Sequence, residues 1–500
     1  MSRDICATAP AEVRDPFAKP DSPQPIFSSA LFDAIDAYVE QQMRRLRMPG
    51  ASLAIVEGGQ IAHQRGFGWA RPNGEAPTPQ TPFFIGSLTK SFTALAVMQL
   101  VEAGKVALDA PVQGYLPWFR VADPQASALI TVRHLLNQTS GLPTSAGEIP
   151  LADFDDSCGA AERQARALAS LELARPGGTA FEYSNANYNL LGLIIETAGG
   201  ESYAGYVQNH IFAPLGLNHT YTDPAAAERD GLAAGYRYWF AIPLTAPTIP
   251  VAHGSLAGGM IISTAEDMAR YLLAMLDGGD GDTPLLTAAS LAELHRGVAE
   301  VRAFGLALGR YGMGWYADEI AGTKLLWHSG VLPHFFAYMA LLPEQKKGVV
   351  LLVNADSHWM SPVLTEFGMG VAALLAGAQP APTPFSGFTL WTLRGLLLLP
   401  LLPIAGIAAT LRSWRRRWLE REPRPGDDRR RGLRAWLPAL LNLLLALMLK
   451  PLLGQRRGYL RLYMPDCFWI AAICGGLAVV GSFLHIGSIL DALRRRNDHE

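Results

Sequence analysis

Cysteine is scarce in these 500 residues. Only Cys6, Cys158, Cys467 and Cys474 are present, and none stands in a Cys-x-x-Cys or Cys/His spacing that would hold a metal. A Cys6–Cys158 disulfide would need an oxidising compartment, and two unrelated free thiols are the simpler reading. Charge of one sign is also missing. Lys and Arg number 42 against 44 Asp and Glu, so the chain has no global pull toward nucleic acid. Residues 1–28 lack the apolar run of a secretory signal and read as a flexible leader rich in Pro, Ala and Asp.

The length exceeds one ordinary domain. Residues 29–380 are mixed in polarity and read as a single soluble unit. Ala30 to Met48 carries Leu31, Phe32, Ile35, Tyr38, Val39, Met43 and Leu46 at helical spacing. Gly50 to Val56 and Gln60 to Gly68 read as strands joined by the turn Glu57-Gly58-Gly59. A buried helix with Phe92, Leu95, Ala96 and Leu100 on one stripe then ends at Gly104. Further helices are expected at 131–136, 160–173 and 190–198. Ser263 with Glu266 has the form of a capping box opening a helix over 264–276. Lys324 to Trp327, Phe335 to Leu342 and Gly348 to Asn354 have strand character. They are separated by His328-Ser329-Gly330 and by Pro343 to Lys347, and a helix over 362–376 follows. The order implies an α+β domain: an antiparallel sheet with helices on its faces and a helical subdomain.

The last 120 residues differ, with much Leu, Ala and Arg. Residues 387–411, 435–453 and 467–490 are apolar and near the ~20 residues that span a bilayer. Trp391, Trp436 and Trp469 fall near their ends, as in an aromatic belt. Residues 412–434 hold ten Arg, and the tail carries Arg494-Arg495-Arg496. Basic loops stay in the cytoplasm. Three spans then place residues 1–380 on the periplasmic or extracellular side of the plasma membrane and the C-terminus in the cytoplasm. The leader shows no export signal, and a signal missing from this chain reconciles the two observations.

Chemistry concentrates in three stretches. Ser87-Leu88-Thr89-Lys90 places a hydroxyl and an amine on one helix face, where a desolvated Lys can activate a Ser nucleophile. Tyr183-Ser184-Asn185 precedes a buried helix, and His328-Ser329-Gly330 follows a strand. In this order the three motifs resemble those of the serine β-lactamase-related family, which includes class C β-lactamases, D-Ala-D-Ala carboxypeptidases, esterases and D-amino-acid peptidases. Leu135 to Pro143, Pro176 to Tyr188, Gly258 to Arg270 and Tyr311 to Tyr316 match as well.

The resemblance implies a β-lactamase/transpeptidase-like fold and a serine hydrolase without metal or cofactor. It implies that Ser87 forms an acyl-enzyme and that Lys90 and Tyr183 share the proton work. A phenol acting as base needs cationic neighbours to depress it. By the same resemblance the Ser87 and Val331 amides form the oxyanion hole. Asn185 and the His328-Ser329-Gly330 strand hold a small-molecule or peptide substrate. His328 stands where many β-lactamases have Lys, which moves the expectation toward a peptidase, carboxypeptidase or esterase. His334 stands where the family often has Gly. His253 is a further candidate for reading a substrate side chain, with an ordinary core or surface role the simpler one. The layout, a hydrolase domain and then three spans, is similar to membrane-bound peptidases that remove an N-acyl-D-Asn group from peptide products. A β-lactamase, or a penicillin-binding sensor that acylates without turnover, is the alternative.

Overall fold

A computed structural model of the chain describes residues 29–151, 155–157, 159–249, 252–277, 285–303, 306–382, 384–419, 440, 442–447, 450–454 and 457–497. Cys6, Cys158 and the leader lie outside them.

The domain begins with helix α1 (Ser29–Leu46) and the hairpin β1 (Gly50–Glu57) and β2 (Gln60–Gly68). The short strand β3 (Phe83–Phe84) leads through a one-turn 3₁₀ helix, Gly86–Leu88, into α2 (Thr89–Glu102). The helical subdomain includes α3 (Thr144–Leu151) and α4 (Asn185–Gly199). A separate hairpin, β4 (Tyr236–Trp239) and β5 (Ile242–Thr245), follows. Then come α5 (Leu256–Gly259), β6 (Ile262–Ser263) and α6 (Ala265–Leu276). The remaining strands are β7 (Ala299–Ala303), β8 (Leu306–Gly312), β9 (Trp315–Ile320), β10 (Thr323–Leu332), β11 (Phe335–Leu342), β12 (Lys347–Val353) and β13 (Ala355–Asp356). Helix α7 (Ser361–Leu375) closes the domain.

Among the described residues the main sheet has eight strands in the order β2-β1-β12-β11-β10-β9-β8-β7, and every pairing is antiparallel. Its centre is buried on both faces, and the two-residue period of a strand sorts side chains between two cores. On β11, Ala337, Met339 and Leu341 face the core shared with α2 and α4. Phe336, Tyr338, Ala340 and Leu342 face the core shared with α1 and α7. A fully buried Leu or Phe contributes roughly 1.5–3 kcal/mol, so these alternating rows set the register. Gly368 of α7 lies so close to the Tyr338 ring that a Cβ there would stand 2.3 Å from it.

The expected antiparallel meander is present, with one correction. His328-Ser329-Gly330 does not separate two strands; β10 runs through it to Leu332. Pairing with β9 ends at Trp327, whereas β11 stays paired to Leu332. Residues 328–332 are therefore an edge, open on the β9 side. Strands β4, β5 and β7 to β9 were not expected from the strand pattern. The capping box is also corrected. Thr264 is the N-cap of α6, accepting from the Asp267 amide, because Ser263 is held in β6 opposite Phe83.

Beyond the domain lie α8 (Pro384–Gly395), α9 (Leu401–Leu419), α10 (Arg457–Tyr463) and α11 (Pro465–Asn497). Among the described residues two helical stretches, not three, are long and apolar enough to cross a membrane: Gly387–Arg416 and Pro465–Ser488. They coincide with the first and third expected spans. Of the second, 435–453, only 440, 442–447 and 450–453 are among the described residues, and most of the Arg-rich loop 412–434 falls outside them. Only 11% and 33% of the two apolar windows are buried, which is not the burial of core helices. Helix α9 packs along α11.

Candidate active site

Ser87 sits where β3 ends and α2 begins. The sequence pattern placed it in the first turn of that helix; the structure places it in the 3₁₀ turn just before. Gly86 has φ +53°, a conformation that favours glycine. A Cβ at Gly86 would stand 2.7 Å from the Val331 amide nitrogen, and one at Gly330 would stand 1.9 Å from the Ile85 carbonyl oxygen and 3.2 Å from the Ser87 nitrogen. Two glycines thus let the open edge of β10 press against the nucleophile turn and bring the Ser87 and Val331 amides to one rim.

Lys90, the second residue of α2, is fully buried. Its Nζ stands 2.9 Å from Ser87 Oγ, 2.7 Å from Asn185 Oδ1 and 2.5 Å from the Gly258 carbonyl oxygen. Burial holds its pKa well below the ordinary 10.5, because desolvation disfavours the charged form. With the proton lost, the same partners suit the amine that remains. The two carbonyl oxygens can only accept and take its two N–H bonds, which leaves the lone pair for the Ser87 O–H.

Tyr183 donates its hydroxyl to Ser87 Oγ at 2.9 Å. Its ring lies 5.0 Å from Lys90 Nζ. Burial first, then Tyr316, pushes the phenol well above 10. The cationic depression that a tyrosinate base would need is therefore absent here, and the arrangement favours Lys90 as the base with Tyr183 as a neutral proton carrier.

A buried polar brace holds the Tyr183 segment. Gln138 Oε1 accepts from the Ser184 amide at 2.9 Å and from Asn187 Nδ2 at 2.5 Å, and Ser140 donates to Asn187 Oδ1 at 2.5 Å. Gly147 of α3 packs on Asn185, where a Cβ would stand 2.5 Å from the backbone nitrogen and 2.7 Å from Cβ. The Gly258 carbonyl is presented by α5, whose Ala257 carbonyl accepts from Thr93 at 2.7 Å.

His328 is buried. Its Nδ1–H donates to the Ser329 carbonyl at 2.7 Å, so Nε2 faces the Tyr311 hydroxyl at 3.4 Å as acceptor. Burial lowers its pKa to about 3, so it is neutral near pH 7. Tyr316 and Tyr311 rings lie 5.2 and 5.9 Å from it, and Phe181 lies 5.4 Å from Tyr311. These form an aromatic wall beside the open edge. Ser329 and Gly330 lie on that edge.

His253 does not join this hydrogen-bonded group. It is exposed, and its Nδ1 donates to the Asp156 carbonyl at 2.6 Å. His334 is buried at φ +82° in the β10–β11 turn. That conformation costs a non-glycine residue about 1–2 kcal/mol, which accounts physically for glycine at this position elsewhere. The sequence reading assigned no role to Gln138, Asn187, Gly258, Tyr311 or Tyr316. All fall in or beside stretches that matched the family, which was the available signal.

Comparison with known proteins agrees with this geometry. Penicillin-binding protein 4 of Amycolatopsis lactamdurans is 32% identical over 321 residues, covering 61% of this chain and 81% of that protein. Protein flp of Staphylococcus aureus (strain MW2) is 27% identical over 417 residues, covering 83% and 81%. Among solved structures, the octameric penicillin-binding protein homologue from Pyrococcus abyssi superposes with a TM-score of 0.61 at 30% identity, over 70% of this chain and 78% of that one. The Beta-lactamase family model matches residues 35–366. The chain thus belongs to the beta-lactamase family of serine hydrolases and acyltransferases.

Proposed function

We propose that this protein is a membrane-anchored serine hydrolase that forms an acyl-enzyme on Ser87 and cleaves a peptide-like amide or an ester. The observation that carries the reading is the convergence of Lys90 and Tyr183 on Ser87 Oγ, both at 2.9 Å.

Ser87 Oγ attacks the carbonyl carbon and its proton passes to the neutral Lys90 amine. The Ser87 and Val331 amides receive the negative oxygen. As the carbon–nitrogen or carbon–oxygen bond breaks, Tyr183 gives its proton to the leaving atom and recovers one from the Lys90 ammonium. Water then takes the leaving group's place and the same groups run the transfer in reverse. Asn185 holds both Lys90 and a substrate amide. The open edge of β10 offers main-chain hydrogen bonds to an extended substrate.

Neutral His328 offers no fixed cation for a substrate carboxylate. This favours D-configured peptides, N-acyl-D-Asn peptides among them, or esters over efficient β-lactam turnover. Two of the similar proteins are named for penicillin binding, so stable acylation by a β-lactam is the second reading. The exposed apolar helices support a bilayer anchor, and the Arg-rich loop supports a cytoplasmic C-terminus with the catalytic domain outside.

Purified full-length protein and S87A would be given N-acyl-D-Asn peptides, D-Ala-D-Ala peptides, p-nitrophenyl esters and nitrocefin. Turnover of a peptide or ester that S87A loses supports the hydrolase. Labelling by a β-lactam with no turnover of any substrate replaces it with the penicillin-binding reading.

A further inference from the structure

The β4–β5 hairpin stands outside the main sheet and pairs through β4 with β13. Its turn residues, Phe240 and Ala241, both have positive φ, +49° and +63°. Beyond the turn Ile242 and Leu244 are 47% and 50% exposed, while Pro243 between them is half-buried. An exposed apolar row on a short, otherwise uncovered strand is a surface in want of a partner.

What lies beside it identifies that partner. Arg237 and the Phe240 amide face Asp466, in the first turn of α11. From the other side, the His358 amide donates to the Tyr463 carbonyl at 2.9 Å, and the Trp359 indole donates to Cys467 Sγ at 3.0 Å. Trp359 itself is 43% exposed. The hydrolase domain therefore grips the elbow between α10 and α11 at the point where the apolar helix leaves it. Trp469, Ile473 and Phe483 of that helix are 45%, 47% and 73% exposed. The medium that surrounds its first turns also reaches the hairpin.

The same hairpin borders a cleft of about 790 Å³, lined by Tyr236 and Pro243 together with Arg44, Arg47, Arg65, Glu40 and Trp69. Arg65 is paired there with Asp36 and Glu40, Arg44 lies 3.6 Å from Glu40, and Arg47 adds a further positive charge. Trp69 is 57% exposed. Four-residue strands span only ~13 Å, so the cleft and the turn are near neighbours. Apolar side chains beside tryptophan and arginine are the composition of a bilayer interface.

We infer that the β4–β5 hairpin and the adjoining arginine cleft seat the hydrolase domain on the lipid surface, with Ile242 and Leu244 at the headgroup–acyl boundary and Arg44 and Arg47 against lipid phosphates. This rests on the proposed anchoring by α11. The domain is then held at a set height and orientation rather than swinging on a tether.

The test uses the full chain in nanodiscs of mixed phosphatidylcholine and phosphatidylglycerol. A photoactivatable benzoylphenylalanine is placed at Ile242 in one variant and at Phe483 in another, with adducts read by mass spectrometry. Lipid adducts at both positions are expected. Adducts at Phe483 and none at Ile242 overturn the seating while leaving the anchor intact. No lipid adduct at either position overturns the anchoring reading itself. A protein–protein adduct at Ile242 assigns the surface to a second copy and overturns the inference. With the probe at Ile242, the charge reversal R44E/R47E is expected to cut the phosphatidylglycerol share of adducts at least twofold. An unchanged share removes the cleft from the proposal.

Discussion

Lys90 Nζ stands 2.9 Å from Ser87 Oγ, and its two other partners are carbonyl oxygens that can only accept. Burial holds its pKa well below 10.5, and once neutral the amine stands in place to take the Ser87 proton. Replacing Lys90 with Met keeps the bulk and removes the base. Acylation by a fluorescent β-lactam should slow by ~10²–10⁴, the usual contribution of a positioned base. Stopped-flow fluorescence measures it. A K90M protein acylated at the parental rate would remove Lys90 from the chemistry.

The pH dependence follows from the same pair. Lys90 is depressed below 10.5 and must be neutral to act. The rate should therefore rise with pH along one limb and then level. Tyr183 is pushed above 10, so its ionisation adds no falling limb through pH 9. Y183F should lower the plateau by ~10²–10⁴ and leave the position of the rising limb in place. A limb that moves in Y183F would make Tyr183 the titrating base.

The contact of Gly330 with the Ile85 carbonyl predicts a second kind of loss. G330A drives a methyl to within 1.9 Å of that oxygen, so β10 must retreat from the nucleophile turn. The Val331 amide leaves with it. Loss of one oxyanion donor costs ~10²–10³ in kcat, with KM changing less. Steady-state kinetics on the best ester of the panel checks this, and circular dichroism reports whether the fold remains.

Gly147 has the same relation to Asn185. A methyl there meets the Asn185 backbone nitrogen at 2.5 Å, so G147A should shift α3 or Asn185 and raise KM for amide substrates. Asn185 Oδ1 also accepts from Lys90 at 2.7 Å, so labelling by a small acylating probe should fall as well.

Acid stability is set partly by three histidines. Burial lowers His295, His328 and His334 to about 3 each, against 6.5 in the unfolded chain. The unfolded state binds more protons between those values, so their stabilising contribution is full above pH 6.5 and is lost as pH falls toward 3. Asp267, raised to about 6 by burial, acts in the opposite sense. It holds a proton in the folded state between about 6 and its ordinary 3.8. Asp356, also raised by burial, acts with Asp267, while His134 and His358, also lowered by burial, act with the three histidines. The histidines outnumber the carboxyls, so the melting temperature should fall below pH 6.5. Replacing His295 with Phe should flatten that slope.

The Ser87 group was legible because its parts are local. Ser87 and Lys90 are three residues apart, and a helix brings such neighbours together whatever the tertiary structure. Tyr183 and His328 were legible only as ordered motifs, since their approach to Ser87 depends on packing 96 residues away for Tyr183. The central strands β1, β11 and β12 were readable from continuous apolar runs. Strands β8 and β9 were not, because Gly312, Gly314 and Asp318 interrupt any alternation. His328-Ser329-Gly330 looked like a break for the same reason. Its glycine serves instead to let a strand edge reach the nucleophile. His253 carried too little pattern to separate a pocket residue from the surface residue that the structure shows.

Intact-protein mass spectrometry after exposure to a β-lactam probe, followed by peptide mapping, tests the central claim most directly. The account predicts a mass increase equal to one intact probe, located on the peptide that contains Ser87 and absent from S87A. Equal modification of both proteins, or a label on any other residue, would contradict it.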